Sequence, residues 1–129
     1  MHGHRGHGVA MGRMSREKGK RGEREVARIL RDYGFDARRG EQYCGANGDA
    51  DVVGLPGIHI EVKRVERLEL YTALSQAKHD ARDDEQPIVV HRRNDCKWVV
   101  IQPLEDWLKL YAETDLPDML QEETEKEDA

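Results

Sequence analysis

The sequence predicts an α/β fold in which helices cover both faces of a mixed β-sheet. Three observations favour this fold. Apolar residues recur at helical spacing in three segments. Short or alternating apolar runs, typical of strands, occur in five others, and the order along the chain is helix, three strands, helix, two strands, helix. A chain of 129 residues is long enough for one domain with its own core but not for two.

The first helix is predicted from about Gly19 to Tyr33. Its apolar stripe recurs every three or four residues, at Val26, Ile29, Leu30 and Tyr33. Gly34 follows directly, in the position where glycine commonly ends a helix. The segment therefore predicts an amphipathic helix with one face against the sheet.

Three strands are predicted next, at Phe35–Arg39, Asp51–Leu55 and Ile58–Arg64, with a polar loop at 40–48 after the first. Pro56-Gly57 is a strong turn signal between the second and third strands. We therefore expect these two strands to form a hairpin.

The second half of the chain predicts a helix at Leu70–Asp83, strands at Pro87–His91 and Lys97–Ile101, and a last helix that begins at Pro103. Leu104, Trp107, Leu108 and Tyr111 form the apolar stripe of the last helix. This spacing predicts that Trp107 lies in the core, and we expect the same of Trp98.

Charge divides the chain into three parts: a disordered extension at 1–14, a folded domain at 15–112 and a disordered acidic tail at 113–129. The tail holds eight acidic residues and one lysine, so the overall net charge of -5 hides a body that is slightly basic. Within that body, residues 12–40 hold ten Arg or Lys against five Asp or Glu. A basic region of this kind suits a polyanionic partner such as nucleic acid, although a solvated helix face has the same composition.

Cys44 and Cys96 match neither a CxxC pair nor a zinc-ligand spacing. The sequence also has no signal-peptide pattern and no apolar segment long enough to span a membrane. These observations predict a reducing, cytoplasmic location and no membrane partner.

The pattern with the most chemical content is Asp51 followed ten positions later by Glu61-Val62-Lys63. Side chains alternate along a strand, so Glu61 and Lys63 point to one face while Ile60 and Val62 point to the core. An acid at the neighbouring strand would then complete a group of two carboxylates and one ammonium. With the carbonyl oxygen of Val62, the two carboxylates can hold Mg²⁺, and such a centre can hydrolyse a phosphodiester.

Two alternatives remain open from the residues alone. Alternating charges on an exposed strand face have the same pattern and no catalytic role. Asp49 shares a strand face with Asp51 and competes with it for the role of metal ligand. Asp51 is preferred because Val52-Val53 continues directly as a strand.

The combination of Asp51, Glu61-Val62-Lys63 and the preceding segment Gly19–Glu25, which carries Glu23, resembles the PD-(D/E)xK nuclease superfamily. Within it, the region from about Ser15 to Tyr111 is similar to the small Holliday junction resolvases of archaea and phages. The proline of the family's "PD" pair is absent, since Ala50 precedes Asp51.

The resemblance implies a restriction-endonuclease-like fold and a homodimer that uses Mg²⁺ or Mn²⁺ to cut four-way DNA junctions in recombination and repair. By position, Asp51 and Glu61 would be metal ligands and Lys63 the catalytic lysine. Glu23 would be an accessory acid, and Gln76 in the next helix a hydrogen-bonding group near the scissile phosphate. Basic residues of the first helix and first strand are the expected DNA contacts: Lys18, Lys20, Arg21, Arg24, Arg38 and Arg39.

Two other functions are compatible with the same residues. One is a less selective nuclease of this superfamily that acts on replication or repair intermediates. The other is a DNA-binding module without catalysis, in which the acids are surface charges. Fold resemblance supports phosphodiester chemistry more firmly than it supports a particular DNA geometry.

Overall fold

The computed structural model describes residues 2–41 and 50–128, and the side chains of 12–41 and 50–127. In chain order the elements are α1 (His2–Asp32), β1 (Arg38–Arg39), β2 (Val52–Val53), β3 (Ile58–Arg64), α2 (Leu70–Asp80), β4 (Gln86–Arg92), β5 (Val99–Ile101), α3 (Leu104–Glu113) and α4 (Leu116–Asp128). The predicted order of helices and strands is confirmed as far as α3, and the third strand has the predicted bounds.

The five strands form one sheet in the order β1-β2-β3-β4-β5. Strands β3 and β4 are parallel, with Glu61 opposite Val89, and the other neighbouring pairs are antiparallel. The sheet is therefore mixed and has helices on its faces. This confirms the predicted α/β architecture of the restriction-endonuclease-like type.

Two apolar clusters lie on opposite faces of the sheet, as the alternation along β3 and β4 requires. On one face α1 packs over the larger cluster, which includes Val26, Ile60 and Val62. On the other face α2 packs Ala73 and Ala77 against Val89. Glu61 shares the face of Val89 because both residues lie at the same register position. The third strand therefore carries core residues on one face and polar residues on the other.

Glycines end the first helix and form the central hairpin at the predicted positions. Gly34 has φ of 96°, and the amides of Gly34 and Phe35 donate to the carbonyls of Arg31 and Leu30, which is a Schellman cap. In the hairpin, the amide of Ile58 donates to the carbonyl of Leu55 at 3.1 Å, and Gly57 has φ of 85°. Pro56 followed by a glycine of positive φ is the sequence of a type II turn.

Both termini are helical where the sequence predicts disorder. Helix α1 begins at His2 instead of Gly19, and α4 covers most of the acidic tail. The side chains of α4 are almost all exposed, so this helix depends on local propensity and not on a core. Among the described residues, no helix has the length and apolarity needed to cross a membrane.

The prediction that Trp107 belongs to the core is wrong for the single chain. Helix α3 has no buried residue, and Trp107 is 50% exposed although it stacks on Tyr111 with ring centroids 5.4 Å apart. Trp98 is partly buried and packs against the larger cluster. The stripe of α3 was correctly identified as apolar, but the described part of the single chain leaves Leu104, Trp107 and Leu108 exposed.

Candidate active site

Asp51 is held at the junction of three strands by its backbone and by its side chain. Its carbonyl accepts from the amide of Gly40 at 2.9 Å, and its amide donates to the carbonyl of Ile60 at 3.0 Å. The carboxylate oxygen Oδ2 accepts from the amide of Val62 at 2.8 Å. These bonds fix the Asp51 carboxylate beside the middle of β3.

The Asp51 and Glu61 carboxyl groups interact directly in a buried setting. Glu61 is only 6% exposed. Burial raises the pKa of Asp51 to about 7, and the negative charge of Glu61 and a side-chain hydrogen bond with it act in the same direction. Two acids held this close without a cation repel each other when both are ionised, so one of them keeps a proton. The pair is therefore suited to binding a positive ion.

The donor set fits a hard divalent cation that retains part of its water shell. Within 12–41 and 50–127, no three His, Cys, Asp or Glu side chains form a metal-binding group. The centre thus offers two carboxylates, together with the Val62 carbonyl. In a strand the N–H and C=O of one residue point to the same side, and the Val62 amide faces Asp51. Mg²⁺ is commonly held by one or two carboxylates, whereas a zinc site usually requires three or four protein ligands.

Lys63 and Gln76 meet at the edge of the centre. The Lys63 ammonium donates to Gln76 Oε1 across 3.2 Å. Gln76 lies in α2, which packs on the same face of the sheet that carries Glu61. The contact ties the ammonium to a helix while leaving it open to solvent.

Glu23 reaches the centre from α1. Its Oε2 accepts from Arg39 Nε at 2.9 Å, and its charge contributes to the raised pKa of Asp51. The partner of Glu23 lies in β1, not in its own helix. Glu23 is thus close enough to affect Asp51, and the Arg39 guanidinium offsets its charge.

The predicted DNA contacts divide into paired and exposed side chains. Lys18 lies 3.4 Å from Glu66, Lys20 lies 3.9 Å from Glu17, and Arg39 binds Glu23. Lys20 is exposed in spite of this contact, and Arg21, Arg24 and Arg38 are exposed as well. Lys18 and Arg21 also line a cleft of about 950 Å³. Three arginines that are not among the predicted DNA contacts line it with them: Arg13, Arg64 and Arg92.

His59 is the residue that sequence reasoning missed. It is 3% exposed, and its Nε2 lies 2.7 Å from Glu61 Oε1. That hydrogen bond is the main cause of a raised pKa for His59, and burial opposes it. The alternation along β3 contained the signal, since positions 59, 61 and 63 share one face. Asp49, the competing ligand in the sequence, lies outside the described residues.

The raised pKa of Asp51 predicts how stability depends on pH when divalent cations are absent. The folded protein keeps the Asp51 proton up to about pH 7, whereas the unfolded chain releases it near 3.8. Wild-type stability therefore falls as pH rises through this window, by up to about 1.4 kcal/mol per pH unit. Asp51→Asn removes this pH dependence of stability while keeping an acceptor for the Val62 amide.

Urea unfolding in EDTA at several pH values measures the effect. The stability of Asp51→Asn relative to wild type should increase between about pH 4 and pH 7 and stay constant above that range. A difference that does not change with pH would contradict the raised pKa.

The family model described as archaeal Holliday junction resolvase (Hjc) matches residues 14–109, which include all five predicted catalytic positions. No curated protein matched the chain. No solved structure matched it either.

Proposed function

The chain belongs to the archaeal Holliday junction resolvase family, whose members are endonucleases acting on DNA junctions, and from this premise we propose a metal-dependent mechanism at the Asp51–Glu61–Lys63 centre. The observation that carries the proposal is the contact between the half-buried carboxyl group of Asp51 and the buried carboxyl group of Glu61. Burying two acids side by side costs free energy unless a positive charge joins them. A divalent cation supplies that charge.

Asp51, Glu61 and the carbonyl of Val62 would hold Mg²⁺, or Mn²⁺ in its place. The bound cation would lower the pKa of a water molecule and offset the negative charge that develops on the phosphate. The backbone amide of Val62 keeps the Asp51 carboxylate in place. Hard oxygen donors of this kind favour Mg²⁺ and Mn²⁺ over softer metals.

Lys63 would contact the scissile phosphate with its ammonium group. Gln76 accepts one hydrogen bond from Lys63, which restrains the flexible side chain and leaves further N–H groups for a phosphate oxygen or the attacking water. Glu23 would act as an accessory acid at the border of the centre, with its charge moderated by Arg39.

The basic side chains would bind the phosphates of the junction arms. The exposed Arg21, Arg24 and Arg38 are available for this role, since they form no ion pair with another residue that the structure describes. Lys18, Lys20 and Arg39 would exchange carboxylate partners for phosphate oxygens. Such contacts position the enzyme but do not read the DNA sequence.

Cleavage of a labelled immobile four-way junction and a matched linear duplex, at equal concentrations in Mg²⁺, tests the proposal. We expect paired nicks in the junction, little cutting of the duplex and no cutting in EDTA. Equal cutting of both DNAs would remove the selectivity for junctions. Cutting of the junction that survives EDTA would remove the role of the metal.

We also propose that the enzyme is a homodimer built on β5 and α3. Strand β5 is an edge of the sheet, and Val99 and Val100 on it are exposed. The neighbouring helix adds an apolar surface formed by Leu104, Trp107 and Leu108. Edge strands and contiguous apolar surfaces are normally covered. A second copy would cover this surface, and its two-fold symmetry would give two active sites for two strands of like polarity.

Trp107→Glu is expected to convert the dimer to a monomer, because it places a charge in the apolar surface. Sedimentation velocity of wild type and variant measures the change. Tyr33→Glu is the matched control, since Tyr33 is an exposed aromatic residue directly after α1, far along the chain from this surface. An unchanged dimer in Trp107→Glu would place the interface elsewhere, and a monomeric wild type would exclude the dimer.

A further inference from the structure

The buried contact between His59 and Glu61 is not used by the mechanism above. His59 lies two residues before Glu61 on β3 and shares its face of the sheet. Its Nε2 lies 2.7 Å from Glu61 Oε1, and both side chains are almost completely buried. A hydrogen bond this short and this well shielded from water holds its two partners in one arrangement.

The other side of the imidazole faces a second acid. His59 Nδ1 lies 4.0 Å from Glu85 Oε1, which is too far for a hydrogen bond but close enough for electrostatic attraction. Glu85 is fixed in turn, because its Oε1 accepts from the amide of Arg82 at 3.0 Å. The imidazole is thus placed between the Glu85 and Glu61 carboxylates, with its hydrogen bond on the Glu61 side.

The hydrogen bond determines which part of Glu61 is available to a ligand. An N–H at Nε2 occupies Oε1 and fixes the plane of the carboxylate, which leaves Oε2 for the cation or for Asp51. Without this donor, Oε1 would lose its hydrogen bond with the imidazole in a buried setting, and the carboxylate would be less restrained in its rotation. Groups that orient a metal ligand in this way typically change metal affinity by about 10- to 100-fold.

We propose that His59 is a positioning residue that orients the Glu61 carboxylate for a divalent cation. The inference rests on the proposed function, since it requires a cation at Asp51 and Glu61. It adds a residue outside the Asp51, Glu61, Lys63 pattern, and it assigns that residue a role in metal affinity and not in contact with DNA.

Two substitutions separate the hydrogen bond from the bulk of the side chain. His59→Gln can place an amide N–H near the position of Nε2, whereas the shorter side chain in His59→Asn ends near the position of Nδ1 and does not reach Glu61. Both variants bury one amide, so they are matched in polarity. His79→Asn is a further control, because His79 is an exposed histidine of α2.

Calorimetric titration of the DNA-free protein with Mn²⁺ is the first measurement. We expect His59→Gln and His79→Asn to bind within about 3-fold of wild type and His59→Asn to bind about 10- to 100-fold more weakly. Wild-type affinity in His59→Asn, or equal weakening in Asn and Gln variants, would overturn the positioning role. A wild-type protein that does not bind Mn²⁺ would instead refute the proposed function.

The Mg²⁺ dependence of junction cleavage is the second measurement, and it remains informative if a variant is partly unfolded. A positioning role raises the half-saturating Mg²⁺ concentration of His59→Asn and leaves junction affinity in EDTA unchanged. Loss of folded protein would lower the maximal rate without moving the half-saturating concentration. A changed maximal rate with an unchanged half-saturating concentration would therefore count against the proposal.

Discussion

Replacing Glu61 by Gln is expected to slow junction cleavage by at least about 1,000-fold, which corresponds to about 4 kcal/mol of transition-state stabilisation. The amide is nearly the same size as the carboxylate but carries no charge, so the variant should fold and lose the cation. Lys63→Met should have a comparable effect on the rate because it removes the ammonium from the centre. Single-turnover cleavage with enzyme in excess measures the chemical step in both variants.

Junction binding distinguishes a variant that has lost catalysis from a variant that is no longer folded. Both variants should bind a four-way junction in EDTA with nearly the wild-type affinity, since the proposed contacts with the junction arms lie in other residues and Lys63 would contact only the scissile phosphate. Glu122→Gln removes one exposed acid from α4 and is the control for a change of charge. Cleavage by Glu61→Gln at a rate close to that of wild type would show that the centre is elsewhere.

Gly54→Ala is expected to be the most destabilising of the single-methyl substitutions in the hairpin. Gly54 has φ of 127°, a conformation that L-residues rarely adopt. An added Cβ would lie 2.5 Å from both the Cα of Ala37 and the carbonyl oxygen of Asp36. Backbone atoms cannot move aside locally, so β1 and β2 would have to separate. We expect a loss of about 3 kcal/mol or more in the free energy of unfolding.

Gly57→Ala provides the matched control. Gly57 also has a positive φ, 85°, but nothing lies within 4 Å of an added Cβ. Its substitution should cost only the backbone strain, about 1–2 kcal/mol. Urea unfolding measures the loss of unfolding free energy in each variant, and the difference between the two losses gives the cost of the steric clash at Gly54. Equal destabilisation would mean that the close approach of β1 to β2 does not contribute.

Local patterns predicted those parts of the fold that depend on local physics. The alternation of Ile58–Arg64 and the Pro56-Gly57 turn specify a hairpin through neighbouring residues alone, and the structure contains it, with the predicted bounds for β3. The glycine cap of α1 is likewise local. Strand order and the parallel pairing of β3 with β4 depend on contacts distant in sequence, which no local pattern encodes.

Only part of the candidate site could be predicted, because the sequence shows local patterns and not contacts between distant residues. Asp51, Glu61 and Lys63 have a characteristic spacing, and the fold brings the two acids into contact. Alternation places His59 on the face of Glu61, but its contact with Glu61 is evident only from the structure. Trp107 was predicted to lie in the core and is instead half exposed, because an apolar stripe shows that a helix face is apolar without showing which chain covers it. The partner of Glu23 also required the fold, since Arg39 lies sixteen residues away.

The position of a bound cation is the most direct test of the central claim. Crystals of the protein grown or soaked in Mn²⁺ at pH 8, above the pKa of about 7 for Asp51, would locate the ion by its anomalous scattering. We expect a single strong peak in contact with carboxylate oxygens of both Asp51 and Glu61 and with the carbonyl oxygen of Val62. The ion should lie at roughly 2.0–2.2 Å from each of these oxygens. A peak away from these two acids, or no peak at saturating Mn²⁺, would contradict the central claim.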